Sequence, residues 1–197
     1  MTHSTLAAAD PTSTIPAAQR ARSLLSWTVF DLFSQQLVWW CVVVLVRAGH
    51  PTIAVLPAMV WVAVTVWARG LSALWLAATS ALIGLVVDGV LIGLGVMTLS
   101  SPLDLGVTSS FMVGLWAAFG LSWAASLRWL LARPVTLAAS LGAAAGMLAY
   151  AAGERLEVMS IAPGPWPWLQ IALGWAMALL ALRVAAVHLI PGELERT

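Results

Sequence analysis

This 197-residue chain has no lysine, one cysteine, one tyrosine and few charges of either sign. Acidic and basic residues make up 9% of it, where a soluble domain carries about 25%. All nine basic residues are arginines and the net charge is +1, so neither a basic run nor a global field points to nucleic acid. The lone Cys41 excludes an internal disulfide and a four-cysteine metal site. It lies in an apolar run and reads as a small hydrophobe. His3, His50 and His188 are scattered, which argues against a haem or zinc site. The chain lacks His-x-x-x-His, His-Glu-x-x-His, Gly-x-Ser-x-Gly and a Walker loop. No catalytic residue, metal or cofactor is expected from motifs.

Apolar residues, by contrast, make up 61% of the chain, with twelve tryptophans and a mean hydropathy of +0.96. A bilayer core of about 30 Å is crossed by about 20 helical residues. The apolar runs predict an all-α polytopic bundle of six transmembrane helices over residues 23–46, 52–68, 71–97, 110–132, 135–152 and 168–190. Pro134 and the pair Pro191-Gly192 mark two of the ends. Residues 1–22, with Pro11 and Pro16, predict a flexible tail, and 191–197 a second short tail. Arg20 and Arg22 precede the first run as in a signal peptide. That run is long, however, holds Asp31, Gln35 and Gln36, and is followed by no small-residue cleavage site, so it reads as an uncleaved span. No repeat is evident between the first three spans and the last three.

Arginine placement predicts the orientation. With the N-terminus in the cytoplasm, Arg20, Arg22, Arg69, Arg128, Arg133, Arg183 and Arg196 lie inside, and Arg47 and Arg155 outside. That asymmetry follows the positive-inside rule and places both termini in the cytoplasm. Trp27, Trp67, Trp75, Trp129, Trp166 and Trp168 fall near span ends, as interfacial anchors do. Trp39, Trp40, Trp61, Trp116, Trp123 and Trp175 lie deeper. They either fill core and lipid-facing positions or line a cleft for an acyl or polyprenyl chain.

A charge inside a span costs about 2.5–3.5 kcal/mol at the centre and calls for a partner or a purpose. Asp88 shares a helical face with the small residues Ala77, Ser80, Gly84 and Gly95, so it points into the bundle. It is either bonded to a neighbouring helix, protonated or paired with Arg47 or Arg155, or it binds a proton or substrate. Asp31 lies about 12 Å into the first span, with Gln35 one turn on. Arg128 and Arg183 lie at comparable depth and either pair with Asp31 or snorkel to the interface. His188 reads as a solvated residue near a span end. Gly142 and Gly146 form a small-xxx-small motif, and Gly89 and Gly93 repeat its spacing. Tyr150, one turn beyond Gly146, is either an interface aromatic or a hydrogen-bond partner of Asp88 or Glu154.

With these spans laid out, the chain resembles the bacterial membrane family catalogued as domain-of-unknown-function family twenty-eight seventy-eight. The likeness lies in Gln36-Leu-Val-Trp39-Trp-Cys-Val, in Leu-Val-Val-Asp88-Gly, and in Ser122-Trp-Ala-Ala-Ser126-Leu-Arg-Trp129-Leu-Leu-Ala-Arg133-Pro134. It continues through Gly142-Ala-Ala-Ala-Gly146-Met-Leu-Ala-Tyr150-Ala-Ala-Gly153-Glu-Arg-Leu156. The resemblance implies a small polytopic inner-membrane protein with no assigned reaction, and it marks Gln36, Asp88, Ser126, Tyr150 and Gly153 as positions to test.

Three functions follow as expectations. The first is a non-enzymatic accessory protein of the bacterial inner membrane serving lipid or envelope metabolism. Its partners would be the bilayer and either another membrane protein or a second copy. The second is a proton-coupled transporter with Asp31 and Asp88 as inner and outer stations. The third is a lipid-modifying enzyme using Asp88, Tyr150 and Glu154 as acid–base groups.

Overall fold

The structure, a computed structural model, describes the chain from residue 17 to residue 189, with side chains from residue 28 onward. Six α-helices dominate it: α1 (Ala17–Arg47), α2 (Leu56–Arg69), α3 (Leu71–Gly93), α4 (Ser110–Leu121), α5 (Val135–Arg155) and α6 (Pro165–Leu189). Two short strands, β1 (Met97–Leu99) and β2 (Met159–Ile161), pair antiparallel. Of the expected tails, 1–16 and 191–197 lie outside the described residues, as do the side chains of Arg20, Arg22, Trp27 and Arg196. Ala17–Arg22, expected as tail, belong to α1, because the last helix breaker is Pro16.

Among the described residues four helices are long and apolar enough to cross a membrane: Thr28–Arg47 within α1, then α3, α5 and α6. Where six long spans were expected, two segments are shorter apolar helices, Ile53–Arg69 and Ser110–Ala124. The outward faces match a lipid surround. Phe33, Trp67, Leu148, Trp166 and Met177 are all at least 70% exposed, apolar exposure that suits a lipid surround.

The third expected span is shorter than 71–97. Helix α3 ends at Gly93, and Gly95 takes a left-handed backbone (φ +69°). There Gly95 N–H bonds Ile92 O and Val96 N–H bonds Leu91 O, the paired closure of a Schellman motif. Gly95 therefore stands past the helix end and is exposed, off the inward face expected to hold it. The chain then turns into β1. The fourth expected span is interrupted: α4 stops at Leu121, and residues 122–132 run as two 3-10 turns, Ser122–Ala124 and Arg128–Ala132, with an irregular Ala125 between them. Nothing in the local sequence breaks a helix here; contacts from other helices do.

Helix α4 is the centre of the bundle, packed on α3, α2 and α1, while α3 also meets α6 and α5 packs along α6. Asp104 folds back over the start of α4, accepting from Ser110 N–H at 2.7 Å and from its hydroxyl at 2.6 Å. A carboxylate suits the positive end of a helix.

The two hairpins α3–β1–α4 and α5–β2–α6 repeat each other almost bond for bond. Asp88 and Tyr150 stand 62 residues apart, and the same separation links Gly84 to Gly146, Gly95 to Glu157 and Met97 to Met159. Helix α5 ends as α3 does, with Glu157 N–H on Glu154 O, Val158 N–H on Gly153 O, and Glu157 left-handed at φ +61°. The strand register, Met97↔Ile161, Thr98↔Ser160 and Leu99↔Met159, is symmetric about its centre. The flanking bonds, Ser100 N–H to Val158 O and Ala162 N–H to Val96 O, exchange in the same way. Helix α1 closes with the same motif at Gly49 (φ +82°). The internal repeat is thus a helical hairpin rather than a three-span half.

Candidate functional site

The site is built where the two hairpins meet. In each, a glycine makes room for an indole of the following helix. A Cβ on Gly84 would lie 1.9 Å from Trp116 Cγ, and one on Gly146 would lie 2.1 Å from Trp175 Cγ. One turn earlier, Ser80 donates its hydroxyl to Trp116 O, and Gly142 backs directly onto Trp175 O, where a Cβ would stand at 2.8 Å. The two indoles stack with centroids 4.4 Å apart at 29°. Tyr150 and Phe119 meet Trp175 edge-on at 6.0 Å and 5.5 Å. Aromatic pairs of this geometry contribute about 0.5–1.5 kcal/mol each beyond their buried area.

One turn after Gly84 comes Asp88, with 0% of its surface exposed. Trp116 Nε1–H donates to its Oδ2 at 2.9 Å, and Tyr150 O–H donates to Oδ1. Of the sequence alternatives, Asp88 is bonded to neighbouring helices by neutral donors. Its expected cations are elsewhere: Arg47 pairs with Glu157 at 3.5 Å, both well exposed. Tyr150 is buried rather than interfacial. Glu154 turns the other way and accepts from Ile161 N–H at 3.0 Å. It thus anchors β2 and does not hydrogen-bond the Asp88 cluster.

A second polar cluster surrounds the interrupted segment. Asp31, also buried, accepts from the Ser126 hydroxyl at 2.6 Å and from its N–H at 3.4 Å. Arg69 donates to Ala124 O at 2.8 Å and Arg183 to Leu131 O at 3.0 Å. Arg183 therefore satisfies a backbone carbonyl in place of the expected pairing with Asp31. Irregular backbone inside a helical bundle is tolerated where protein groups satisfy it, and three helices each send one such group. Arg128 lies within the second 3-10 turn. Gln35, one turn from Asp31, reaches α4: with its amide oriented to satisfy both atoms, it donates to Ala118 O at 3.3 Å and accepts from Phe119 N–H at 3.2 Å.

Between α1 and α5 lies a cleft of about 710 Å³. It exists because α5 packs on α6 while α1 packs on α2 and α4. Trp116, Tyr150 and Trp175 form its back wall; Trp39, Trp40 and Val43 line one side, and Ala145, Leu148 and Ala149 the other. Gln35 and Gln36 sit at one end and Arg155, Leu156 and Met159 at the other. Asp88 does not line the cleft. It holds the two polar aromatics of the wall from behind. The expected packing glycines divide accordingly. Gly84, Gly142 and Gly146 sit at helix contacts, whereas Gly89 touches Val107 in the loop before α4 and Gly93 has open space around it. Sequence reading named Trp116 and Trp175 as core or cleft-lining but missed their pairing with glycines; the signal was the shared spacing of Gly84-x-x-x-Asp88 and Gly146-x-x-x-Tyr150. Among the described residues no cluster of His, Cys, Asp or Glu could hold a metal.

The family described as "Protein of unknown function (DUF2878)" matches residues 28–181. The chain belongs to that family. The match covers the first hairpin, the second as far as residue 181, both buried carboxylates and every residue of the cleft. No curated protein and no solved structure matches the chain. For this DUF2878 member the site must therefore be read from its own geometry.

Proposed function

We propose that the protein is a non-enzymatic, multi-pass protein of the bacterial inner membrane that holds the apolar chain of a lipid in the cleft between α1 and α5, as an accessory to lipid or envelope metabolism. In this reading all six helical segments cross, α4 being completed by residues 122–132, and both termini face the cytoplasm beside the arginine-rich ends. The observation that carries it is the cleft itself. Its volume of about 710 Å³ lies within the roughly 300–1,000 Å³ typical of ligand pockets, and its walls are almost wholly apolar or aromatic. Its rim residues Trp40 and Leu148 are 50% and 72% exposed, so a chain enters sideways from the bilayer.

The transport reading has less support. A proton path between Asp31 and Asp88 needs a polar route, and the cleft lining includes neither carboxylate. The enzyme reading needs Glu154 beside Asp88 and Tyr150, and Glu154 is engaged with β2.

Photocrosslinking tests the proposal. A phospholipid with a diazirine in its acyl chain should label the cleft walls of the protein in nanodiscs. Ala149→Trp, which fills the cleft, should abolish that labelling, and Val60→Trp on the outer face of α2 should not. Labelling spread evenly over all outer helix faces, unchanged by Ala149→Trp, would refute a lipid-holding cleft.

A further inference from the structure

We propose that the lipid held in the cleft is anionic and comes from the leaflet at the Arg155 end, with its phosphate or carboxylate on the Arg155 guanidinium. This rests on the lipid-chain reading above and adds the headgroup and the leaflet.

Length gives the first indication. Along α5 the cleft runs from Ala145 to Arg155, about 15 Å at 1.5 Å per residue. That is half of a bilayer core of about 30 Å. The cleft therefore matches the chain region of one leaflet, with its Gln35 and Gln36 end toward the midplane and its Arg155 end at the interface.

Charge gives the second. Arg155 is the one cationic residue of the lining, and it stands at the interfacial end on the last turn of α5. Among the described residues it makes no ion pair. The carboxylates near it are committed elsewhere: Glu154 to Ile161 N–H and Glu157 to Arg47, a pair that joins the ends of the two cleft walls. The mouth thus presents a guanidinium without an ion-pair partner, which suits a phosphate or carboxylate by forked hydrogen bonding. The deeper polar atoms are neutral, and of these only Trp175 Nε1–H is buried without a partner. Tyr150 O–H and Trp116 N–H point back to Asp88, and Gln35 reaches the α4 backbone. A charged headgroup has no comparable partner further in, so the amphiphile lies with its chain toward Gln36 and its head at Arg155.

The test is competition against the diazirine phospholipid in nanodiscs, with three competitors of equal chain length: phosphatidylglycerol, phosphatidylcholine and the free fatty acid. The anionic competitors should displace the probe about tenfold more effectively than phosphatidylcholine, whose choline cation offsets the charge of its own phosphate beside the guanidinium. Arg155→Gln should reduce that preference to less than about threefold while phosphatidylcholine competes as before, and Arg155→Lys should retain part of it. Arg133→Gln, at the opposite end of the molecule, should leave it unchanged. Comparing phosphatidylglycerol with the fatty acid identifies phosphate or carboxylate as the preferred group. Equal competition by all three lipids, or a preference that survives Arg155→Gln, overturns the headgroup assignment. Loss of all competition together with indifference to Ala149→Trp overturns the cleft reading instead.

Discussion

The hairpins α3–β1–α4 and α5–β2–α6 share a frame and differ in what they carry on it. Both end their first helix in the same left-handed turn, both contribute one strand to a symmetric ribbon, and both seat an indole over a glycine. At the position one turn beyond that glycine the first carries a carboxylate and the second a phenol, and the two bond each other. The first hairpin packs against α1 and α2 and reaches the cleft through α4, whereas the second supplies the wall opposite α1. Equivalent backbone positions thus supply complementary halves of one hydrogen bond. A repeat can build a site this way without adding any element: it needs only different side chains at matched places.

Glycine replacement should break the equivalence most severely. Gly84→Ala and Gly146→Ala each force a Cβ into an indole, and each should destabilise the protein by about 3 kcal/mol, the upper range for overpacking. Gly93→Ala, with open space around it, should change little. Thermal unfolding in detergent compares them, and a large cost at only one of the two glycines would show that the hairpins are not packed alike.

Next in size is the bond across the repeat. Asp88→Asn and Tyr150→Phe should each cost about 1–3 kcal/mol, because each leaves a buried group short of a partner. The double variant should cost less than their sum, by about 0.5–3 kcal/mol for residues in contact. Additive costs in a double-mutant cycle would mean that the two halves do not act together.

A smaller effect is expected where the frame itself is imperfect. Glu157 occupies the left-handed position that glycine fills at Gly95 and Gly49. Glu157→Gly should stabilise the turn by up to about 1 kcal/mol, even though it removes the exposed pair with Arg47. Gly95→Ala should cost about the same amount. Equal melting temperatures for wild type and both variants would show that the turn contributes no strain. Least of all, Ser126→Ala should cost about 1 kcal/mol by removing one donor to Asp31. A much larger loss, measured by the same unfolding assay, would assign the interrupted segment a greater share of the stability than its few hydrogen bonds imply.

The sequence alone determined the broad plan. Low charge and long apolar runs dictate long apolar helices, four of them able to cross a membrane among the described residues, and Gly70, Pro134 and the Gly-containing turns set where several helices stop. The small residues Ala77, Ser80 and Gly84 placed Asp88 on an inward face, and that face is buried. These are local properties, settled by propensity and period. Only the tertiary structure decided the rest. Residues 122–132 leave the helix although their own sequence would continue it, because Asp31, Arg69 and Arg183 arrive from distant helices to satisfy the freed backbone. The partners of Asp88 and the cleft between α1 and α5 likewise depend on contacts between residues far apart in the chain, which no local pattern encodes.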